Sequence, residues 1–294
     1  MTTNFQSGFA NIFGAPNAGK STLLNVLLGE HLVITSHKVQ TTRHRILGIL
    51  TQPDYQIVFS DTPGIIDPKY KLHEKMMGYV KTALQDADVP IIVHDITKPI
   101  EDLVEVCGIL KLKVPALLLL NKIDKITDTL VLEESIWNIK KMFPNWETLA
   151  ISSKKQINTD QVIPLILKSL PVAPPFYPED NISDRSERFF VSELIREQIF
   201  EQFEEEIPYH AAVIIQSFED KPNVTVIKSD IIVSRETQKV ILLGKSGSMI
   251  KQLGINSRLA IEEFLGKKVH LELYVKVRPK WRDNETFLRE YGYN

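Results

Sequence analysis

The chain has 294 residues, of which 43% are hydrophobic and 24% charged, and its formal net charge is −2. These values are typical of a globular protein of about two domains, and no apolar run approaches the ~20 residues that a transmembrane helix needs. The single cysteine, Cys107, excludes an intrachain disulfide, and with an N-terminus that lacks a signal-peptide pattern it predicts a cytoplasmic protein.

Strand-like and helical stretches alternate through the first half of the chain. The predicted strands are Phe9–Phe13, Tyr55–Ser60, Pro90–Asp95, Ala116–Leu120 and Thr148–Ile151, and the predicted helices are Ser21–Leu28, Leu72–Leu84, Glu101–Lys111 and Leu130–Phe143. This alternation is typical of a mostly parallel sheet with helices on both faces. We therefore predict an α/β domain over residues 1–172.

The first predicted strand leads into Gly14-x-x-x-x-Gly19-Lys20-Ser21, which matches the full phosphate-loop pattern between a strand and a helix. Glycines let backbone N–H groups curl towards phosphate oxygens, and a helix N-terminus favours an anion. Lys20 is expected to reach the β and γ phosphates and Ser21 to bind Mg²⁺; the alternative is an ordinary turn. The predicted nucleotide contacts in this loop are Gly14, Ala15, Pro16, Asn17, Ala18, Gly19, Lys20, Ser21 and Thr22.

A second segment, Asp61-Thr62-Pro63-Gly64, follows the second predicted strand. Asp61 could hold Mg²⁺ through water, and the N–H of Gly64 could sense a γ phosphate. The same four residues also favour a plain turn, so the segment is informative only beside the phosphate loop.

A third segment, Asn121-Lys122-Ile123-Asp124, directly follows the fourth predicted strand. An Asp carboxylate can accept hydrogen bonds from N1–H and the 2-amino group of guanine, and adenine lacks both donors. The stem of Lys122 can lie over the base, and Asn121 can brace the loop. After the next strand, backbone N–H groups of Ser152, Ser153 and Lys154 could meet the guanine oxygen. The order and spacing of these segments predict a GTP-binding, phosphate-loop domain.

The second half of the chain has a different organisation. Residues 173–183 form a proline-rich linker, and residues 184–294 predict a smaller α+β domain. A helical stretch (184–206) precedes two strands, Ala211–Ser217 and Asp230–Ser234. A last strand (267–279) has one apolar face, formed by Val269, Leu271, Leu273, Val275 and Val277. Residues 221–294 hold 14 basic and 8 acidic residues, a net of +6, which favours a polyanionic partner.

A G-x-x-G motif, Gly244-Lys245-Ser246-Gly247, separates an apolar run from a helical one in this domain. KH domains use such a loop to clamp the backbone of single-stranded RNA, although the motif alone is more often a turn. Apolar residues beside a basic loop suit unstacked bases, and solvated surface charge is the alternative for each basic residue. The predicted RNA contacts are Gly244, Lys245, Ser246, Gly247, Ile250, Lys251, Arg258 and Lys276.

Several segments together resemble the Era family of bacterial ribosome-assembly GTPases: GAPNAGKSTLLN, QTTRHRILG, DTPG, NKID, GKSGSMIKQLGINSRLAIEEFLGKKVHLELYVKVRPKW and the ending LREYGYN. The resemblance extends from about residue 8 to the C-terminus. It implies a GTPase domain followed by a KH domain, conversion of GTP to GDP, binding of the 3′ end of small-subunit ribosomal RNA, and maturation of the small (30S) subunit. It also implies peripheral association with the inner face of the membrane in some members, and we expect a monomer.

The resemblance gives residues 40–44 the role of a nucleotide-sensing switch segment. Thr42 is expected to bind Mg²⁺ when GTP is present, with Thr41 as the alternative. Lys20, Thr42 and Gly64 are therefore the candidate catalytic residues, and Ser21, Thr42 and Asp61 the candidate metal ligands.

The residue after the second segment bears on the rate of hydrolysis. Ras-type enzymes place a water-orienting glutamine there, whereas this chain has Ile65, which predicts slow basal turnover. Asn17 could help to bind K⁺ in place of an arginine finger, as in related GTPases, or it could stabilise the phosphate loop by an internal hydrogen bond.

Two other classes of function remain as alternatives. One is an RNA-binding protein whose GTPase domain is only structural, which the intact Lys20, Ser21, Asp61 and Asp124 disfavour. The other is a tRNA-modification or transport GTPase, which the absence of transmembrane segments and of a cysteine-based modification motif disfavours.

Overall fold

A computed structural model of the chain describes residues 5–112 and 114–293. These residues form two compact units. The first unit comprises the described residues up to Asp67 together with Met76–Asp184, and the second comprises Pro68–Lys75 together with the described residues from Arg185 onward. The domain boundaries given above stay a prediction, and the proline-rich residues 173–183 group with the first unit.

The first unit is built on a mixed sheet with strand order β2-β3-β1-β4-β5-β6. Its strands are β1 (Gln6–Phe13), β2 (Ile46–Gln52), β3 (Tyr55–Asp61), β4 (Val89–Asp95), β5 (Leu117–Asn121) and β6 (Thr148–Ala150). Its helices are α1 (Lys20–Leu28), α2 (Lys71–Gln85), which begins in the segment grouped with the second unit, α3 (Ile100–Leu110), α4 (Thr129–Met142) and α5 (Val162–Leu167). Among the described strands of this sheet, only β2, antiparallel to β3, departs from parallel pairing. The predicted α/β fold is confirmed.

Burial on both faces explains the composition of these strands. Every residue of β4 and of β5 is buried, and strands covered by helices on both sides are near-continuous apolar runs. Ile92 and Leu118 from the sheet pack in one cluster with Leu103 and Val106 of α3. This core fixes the strand ends and therefore the loops that follow them.

The parallel strands all end at one edge of the sheet. β1 ends at Phe13, β3 at Asp61, β4 at Asp95, β5 at Asn121 and β6 at Ala150. In open α/β sheets, ligands bind beyond the carboxyl ends of the strands at the point where strand order reverses. Because β1 lies between β3 and β4, this point coincides with the phosphate loop, here defined as residues 14–21.

The second unit has a smaller sheet of order β7-β8-β9 with helices packed on it. Its elements are α6 (Glu187–Gln202), α7 (Ile207–His210), β7 (Ala212–Asp220), β8 (Thr225–Val233), α8 (Glu236–Leu243), α9 (Ser248–Leu265), β9 (Val269–Val277) and α10 (Glu285–Glu290). β7 and β8 are antiparallel, whereas β8 and β9 are parallel. The apolar face predicted for the last strand is confirmed, because its five members belong to or pack against the core of this unit. The α+β architecture is confirmed as well.

The proline-rich segment, here defined as residues 171–184, is fixed to the first unit rather than loose. The N–H of Ile49 donates to Ile182 O at 2.9 Å, and Ser183 Oγ donates to Leu47 O at 2.6 Å. Further along the segment, the ring of Phe176 meets that of Phe9 edge-on with centroids 5.2 Å apart. The segment therefore extends across β2, β3 and β1, which its composition alone does not predict.

Gln56 of β3 carries much of this attachment. Its side chain is fully buried, accepts from the N–H groups of Phe176 and Tyr177 at 2.7 and 3.0 Å, and donates to Tyr177 O at 2.9 Å. We expect Gln56→Ala to open the segment locally, since it leaves these buried backbone groups without partners. If the substitution lowers the free energy of local opening by about 1–3 kcal/mol, chymotrypsin should cleave the variant after Phe176 roughly tenfold faster or more than the unaltered protein. Cleavage is measured by mass spectrometry. The control is Gln52→Ala, because Gln52 is exposed at the end of β2; equal cleavage of both variants would contradict the role of Gln56.

Candidate active site and nucleic-acid interface

The phosphate loop surrounds a buried ammonium group. Lys20 is only 6% exposed, and its Nζ donates to Gly14 O at 3.2 Å and to Ala15 O at 2.9 Å. Burial lowers the pKa of Lys20 to about 8, although nearby Asp61 acts in the opposite direction. The N-terminus of α1 has no side-chain cap, so its N–H groups and this ammonium can together receive an anion. The arrangement fits a phosphate.

Three oxygen-bearing side chains meet beside Lys20. Ser21 Oγ donates to Asp61 Oδ2 at 2.7 Å, Thr42 Oγ1 donates to the same oxygen at 3.1 Å, and the two hydroxyls lie 2.9 Å apart. The structure thus brings together the three predicted metal ligands. Thr41, the alternative, instead donates to Lys38 O at 2.7 Å.

The Asp61 carboxylate is electrostatically unusual. It is fully buried, its Oδ1 has no hydrogen-bond partner in the described structure, and burial raises its pKa against the opposing hydrogen bonds and the charge of Lys20. A buried charged carboxylate with an unbonded oxygen is costly unless a cation pairs with it. Two hydroxyls and a carboxylate are the hard oxygen donors that suit Mg²⁺.

The segment after β3 lies against the phosphate loop. Thr62 Oγ1 donates to Ile12 O at 2.6 Å, and the N–H of Ile65 donates to Gly14 O at 3.2 Å. Gly64 lies so close to Pro16 that a Cβ built on it would come within 2.8 Å of the proline Cα and N. Its N–H donates to none of the described residues, which leaves it available to a bound group.

Asn121 braces the base loop, here defined as residues 121–124. Its Nδ2 donates to Ala18 O at 2.8 Å, and its Oδ1 accepts from Ser153 N at 2.9 Å and from Ser153 Oγ at 3.1 Å. One amide therefore connects the phosphate loop with the loop after β6, as its predicted bracing role requires.

Asp124 and the loop after β6 form the rest of the base pocket. Ser152 Oγ donates to Asp124 Oδ1 at 2.5 Å, so the carboxylate has a fixed partner. The N–H of Ser153 is used by Asn121, whereas that of Lys154 donates to none of the described residues. Of the backbone donors predicted for the guanine oxygen, Lys154 is thus the one left available.

Two residues of the pocket have partners that the sequence did not indicate. Lys122 Nζ donates to Asn17 O at 2.6 Å and to Asp95 Oδ2 at 2.7 Å. Asn17 Nδ2 donates to His37 O at 2.6 Å. Asp95 was not among the site residues predicted from the sequence. Its position as the last residue of a buried strand, like Asp61, is the signal that could have found it.

The G-x-x-G loop in the second unit connects α8 to α9. Gly244 has φ 70° and ψ 178°, Ser246 has φ 52°, and Gly247 has φ 76°. The Gly244 conformation is one that essentially only glycine adopts. Lys245 and Ser246 are exposed, so the loop presents a charge and backbone groups to solvent.

A groove of about 370 Å³ lies between α9 and β9. It is lined by Ile250, Lys251, Gly254, Ile255, Arg258, Leu271 and Leu273. Three of the predicted RNA contacts are in this set. Lys276 is not: its Nζ forms an ion pair with Asp230 Oδ2 at 2.6 Å. Leu271 and Leu273 were predicted to lie on the apolar face of the last strand, but not to form part of a binding surface.

Comparison with known proteins gives matches in both units. Residues 9–122 match the family model "50S ribosome-binding GTPase", and residues 206–282 match "KH domain". The chain is 42% identical over 295 residues to GTPase Era of Clostridium beijerinckii, covering 98% of both chains. It is 42% identical over 300 residues to GTPase ERA1, chloroplastic, of Zea mays, covering 100% of this chain and 72% of that one. It is also similar to a crystal structure of Era in complex with MgGDPNP and nucleotides 1506–1542 of 16S ribosomal RNA, with a TM-score of 0.95, 39% identity, and 98% and 99% of the two chains covered.

The contact between Gly64 and Pro16 yields a prediction. Gly64→Ala forces a Cβ into backbone atoms, so one of the two loops must shift. We expect the affinity for a GTP analogue, measured by fluorescence titration, to fall about tenfold or more, as for loss of one charge-assisted hydrogen bond. Gly78→Ala is the control, because a Cβ at Gly78 in α2 meets nothing within 4 Å. Unchanged affinity in Gly64→Ala would show that this close approach is not needed.

Proposed function

The chain belongs to the Era family of GTPases, and we propose that it is a GTP-operated switch that binds the 3′ end of small-subunit ribosomal RNA and assists maturation of the small (30S) subunit. The proposed GTPase activity is carried by one observation, which is that four predicted side chains lie together beside the phosphate loop: Lys20, Ser21, Thr42 and Asp61. The proposed RNA binding is supported by the G-x-x-G loop and the groove beside it.

In the proposed mechanism, Lys20 binds the β and γ phosphates and the loop N–H groups bind their remaining oxygens. Ser21, Thr42 and Asp61 would hold Mg²⁺, which neutralises phosphate charge when bound. The Gly64 N–H meets the γ phosphate, so loss of that phosphate on hydrolysis releases a contact of the segment after β3. Thr42 links the same change to the switch segment.

Guanine recognition is assigned to Asp124, with the Lys154 N–H on the guanine oxygen and the Lys122 stem over the ring. The surroundings of Asp124 support this role, because Ser152 fixes one of its carboxylate oxygens while the residue stays exposed. A carboxylate that pairs with N1–H and the 2-amino group rejects adenine, because adenine would leave it unpaired.

Hydrolysis lacks the usual water-orienting side chain. Ile65 is buried at 6% exposure and its side chain has no donor or acceptor, so we expect slow basal turnover. We infer that Asn17 helps to hold K⁺ against the phosphates, where the ion would supply positive charge. The Asn17 side-chain oxygen accepts no hydrogen bond from the described residues, which supports this role, while its Nδ2 bonds to His37 O.

We propose that the protein is a cytoplasmic monomer that associates peripherally with the inner face of the membrane. No described helix combines the length and apolarity that a membrane crossing requires. The peripheral association rests on the family resemblance, whereas the RNA partner is supported by the net charge of +6 over residues 221–294 and by the apolar groove.

The cation role of Asn17 predicts a difference between K⁺ and Na⁺. We expect K⁺ to raise turnover of GTP about tenfold or more over Na⁺ at equal ionic strength, since one stabilising group in a transition state is worth at least that factor. Asn17→Ala should abolish the difference, whereas the control Asn138→Ala, at an exposed position on α4, should retain it. Equal turnover of the unaltered protein in the two salts would disprove the K⁺ role.

The RNA role predicts a charge-sensitive loop. Gly247→Asp introduces a carboxylate where RNA phosphate must approach, and a Cβ there meets nothing within 4 Å. We expect affinity for a single-stranded oligonucleotide from the 3′ end of 16S ribosomal RNA to fall by about 1–3 kcal/mol. Gly266→Asp is the matched control, since Gly266 also has a left-handed φ, here 64°, and open space, but lies at the other end of α9. Equal losses in the two variants would reject the loop as the RNA clamp.

A further inference from the structure

Asp95 occupies the carboxyl end of β4, between the phosphate loop and the base loop. It pairs in register with Asn121 of the neighbouring strand β5. Its Oδ2 accepts a hydrogen bond from Lys122 Nζ at 2.7 Å, and the side chains are 10% and 23% exposed respectively. The ion pair is therefore largely shielded from solvent, where charge-assisted hydrogen bonds are strongest.

The other Asp95 oxygen is held by the chain itself. Oδ1 accepts from the Thr97 N–H at 3.1 Å and from Thr97 Oγ1 at 2.7 Å, and the Lys98 N–H closes the turn on Asp95 O at 2.8 Å. These bonds fix the carboxylate with Oδ2 directed at Lys122. Hydrogen bonds from Lys122 and Thr97 keep the pKa of Asp95 below its usual value although burial acts to raise it, so the group stays charged.

Lys122 is consequently fixed at both ends. Its backbone is left-handed, with φ 69°, and its ammonium is held between Asp95 and the Asn17 carbonyl at 2.6 Å. A lysine stem with four rotatable bonds loses considerable side-chain entropy when it is ordered. The ion pair with Asp95 offsets that cost before a nucleotide arrives.

We propose that Asp95 is a positioning residue of the guanine site, which acts through Lys122. It orders the lysine stem over which the base lies, and it ties the base loop to the phosphate loop through Asn17 O. This inference rests on the proposed function, because it takes Lys122 as the residue that covers the base. Asp95 itself need not touch the nucleotide.

A double-mutant cycle tests the proposal. The release rate of a fluorescent GDP analogue is measured by stopped flow for the full chain, Asp95→Ala, Lys122→Met and the double variant. We expect Asp95→Ala to release the nucleotide about tenfold faster or more, in line with the loss of a hydrogen bond to a charged group. In the Lys122→Met background, Asp95→Ala should raise the release rate by less than about twofold, because the lysine through which Asp95 acts is no longer present.

Further variants separate positioning from a structural role. Asp95→Asn keeps an acceptor for Thr97 but loses the charge, so its release rate should lie between those of the unaltered protein and Asp95→Ala. For hydrolysis, KM for GTP should rise by a larger factor than kcat falls. Asp102→Asn on α3 removes the same charge from a residue whose side chain has no hydrogen-bond partner in the described structure, and it should leave release unchanged.

Two outcomes overturn the inference. Release from Asp95→Ala at the rate of the unaltered protein would do so, and so would fully additive effects in the cycle, which would mean that Asp95 does not act through Lys122. Competition with ATP provides the separate check on the guanine site. If ATP displaces the GDP analogue from the unaltered protein as well as GTP does, the proposed function fails whatever the Asp95 variants show.

Discussion

One side-chain amide, that of Asn121, holds the parts of the nucleotide site together. It donates to the phosphate loop at Ala18 O and accepts from both the N–H and the hydroxyl of Ser153. The residue is buried, with 2% exposure, so these bonds are made where an unpaired amide would be costly. The base loop, the phosphate loop and the loop after β6 therefore keep one relative arrangement, and a nucleotide meets a site that is already formed.

In the proposed mechanism, a different contact would transmit the nucleotide state away from that site. Thr42 shares the Asp61 carboxylate with Ser21, and a few residues later the chain enters β2. β2 in turn is bonded to the proline-rich segment through Ile49 and Leu47. The segment that leads out of the first unit is thus attached to the strand that follows the switch segment, rather than hanging free as its prolines suggested.

The sequence was most informative where a chemical requirement and a strand end coincide. Asp61 and Asn121 each follow a strong apolar run, and Lys20 opens the helix after the phosphate loop, so their positions in the fold could be predicted. β2 was missed because Gly48 interrupts a short apolar stretch, and no sequence period arises from so few residues. Asp95 was missed because its partner, Lys122, follows the neighbouring strand β5, and such pairing appears only once the sheet register is known. Lys276 was assigned to RNA from its charge alone; its ammonium pairs with the buried Asp230, and its contact with RNA stays a prediction.

The central claim is that this fold presents Asp124 as the group that recognises guanine. The most direct test is to measure affinities of the unaltered protein and Asp124→Asn for GTP and for xanthosine triphosphate, whose base has an oxygen in place of the 2-amino group. Exchanging the carboxylate for an amide should weaken GTP binding about a hundredfold or more, as expected when a site built on such hydrogen bonds loses its match. It should strengthen xanthosine triphosphate binding at the same time. Equal GTP affinity in the two proteins would contradict the account.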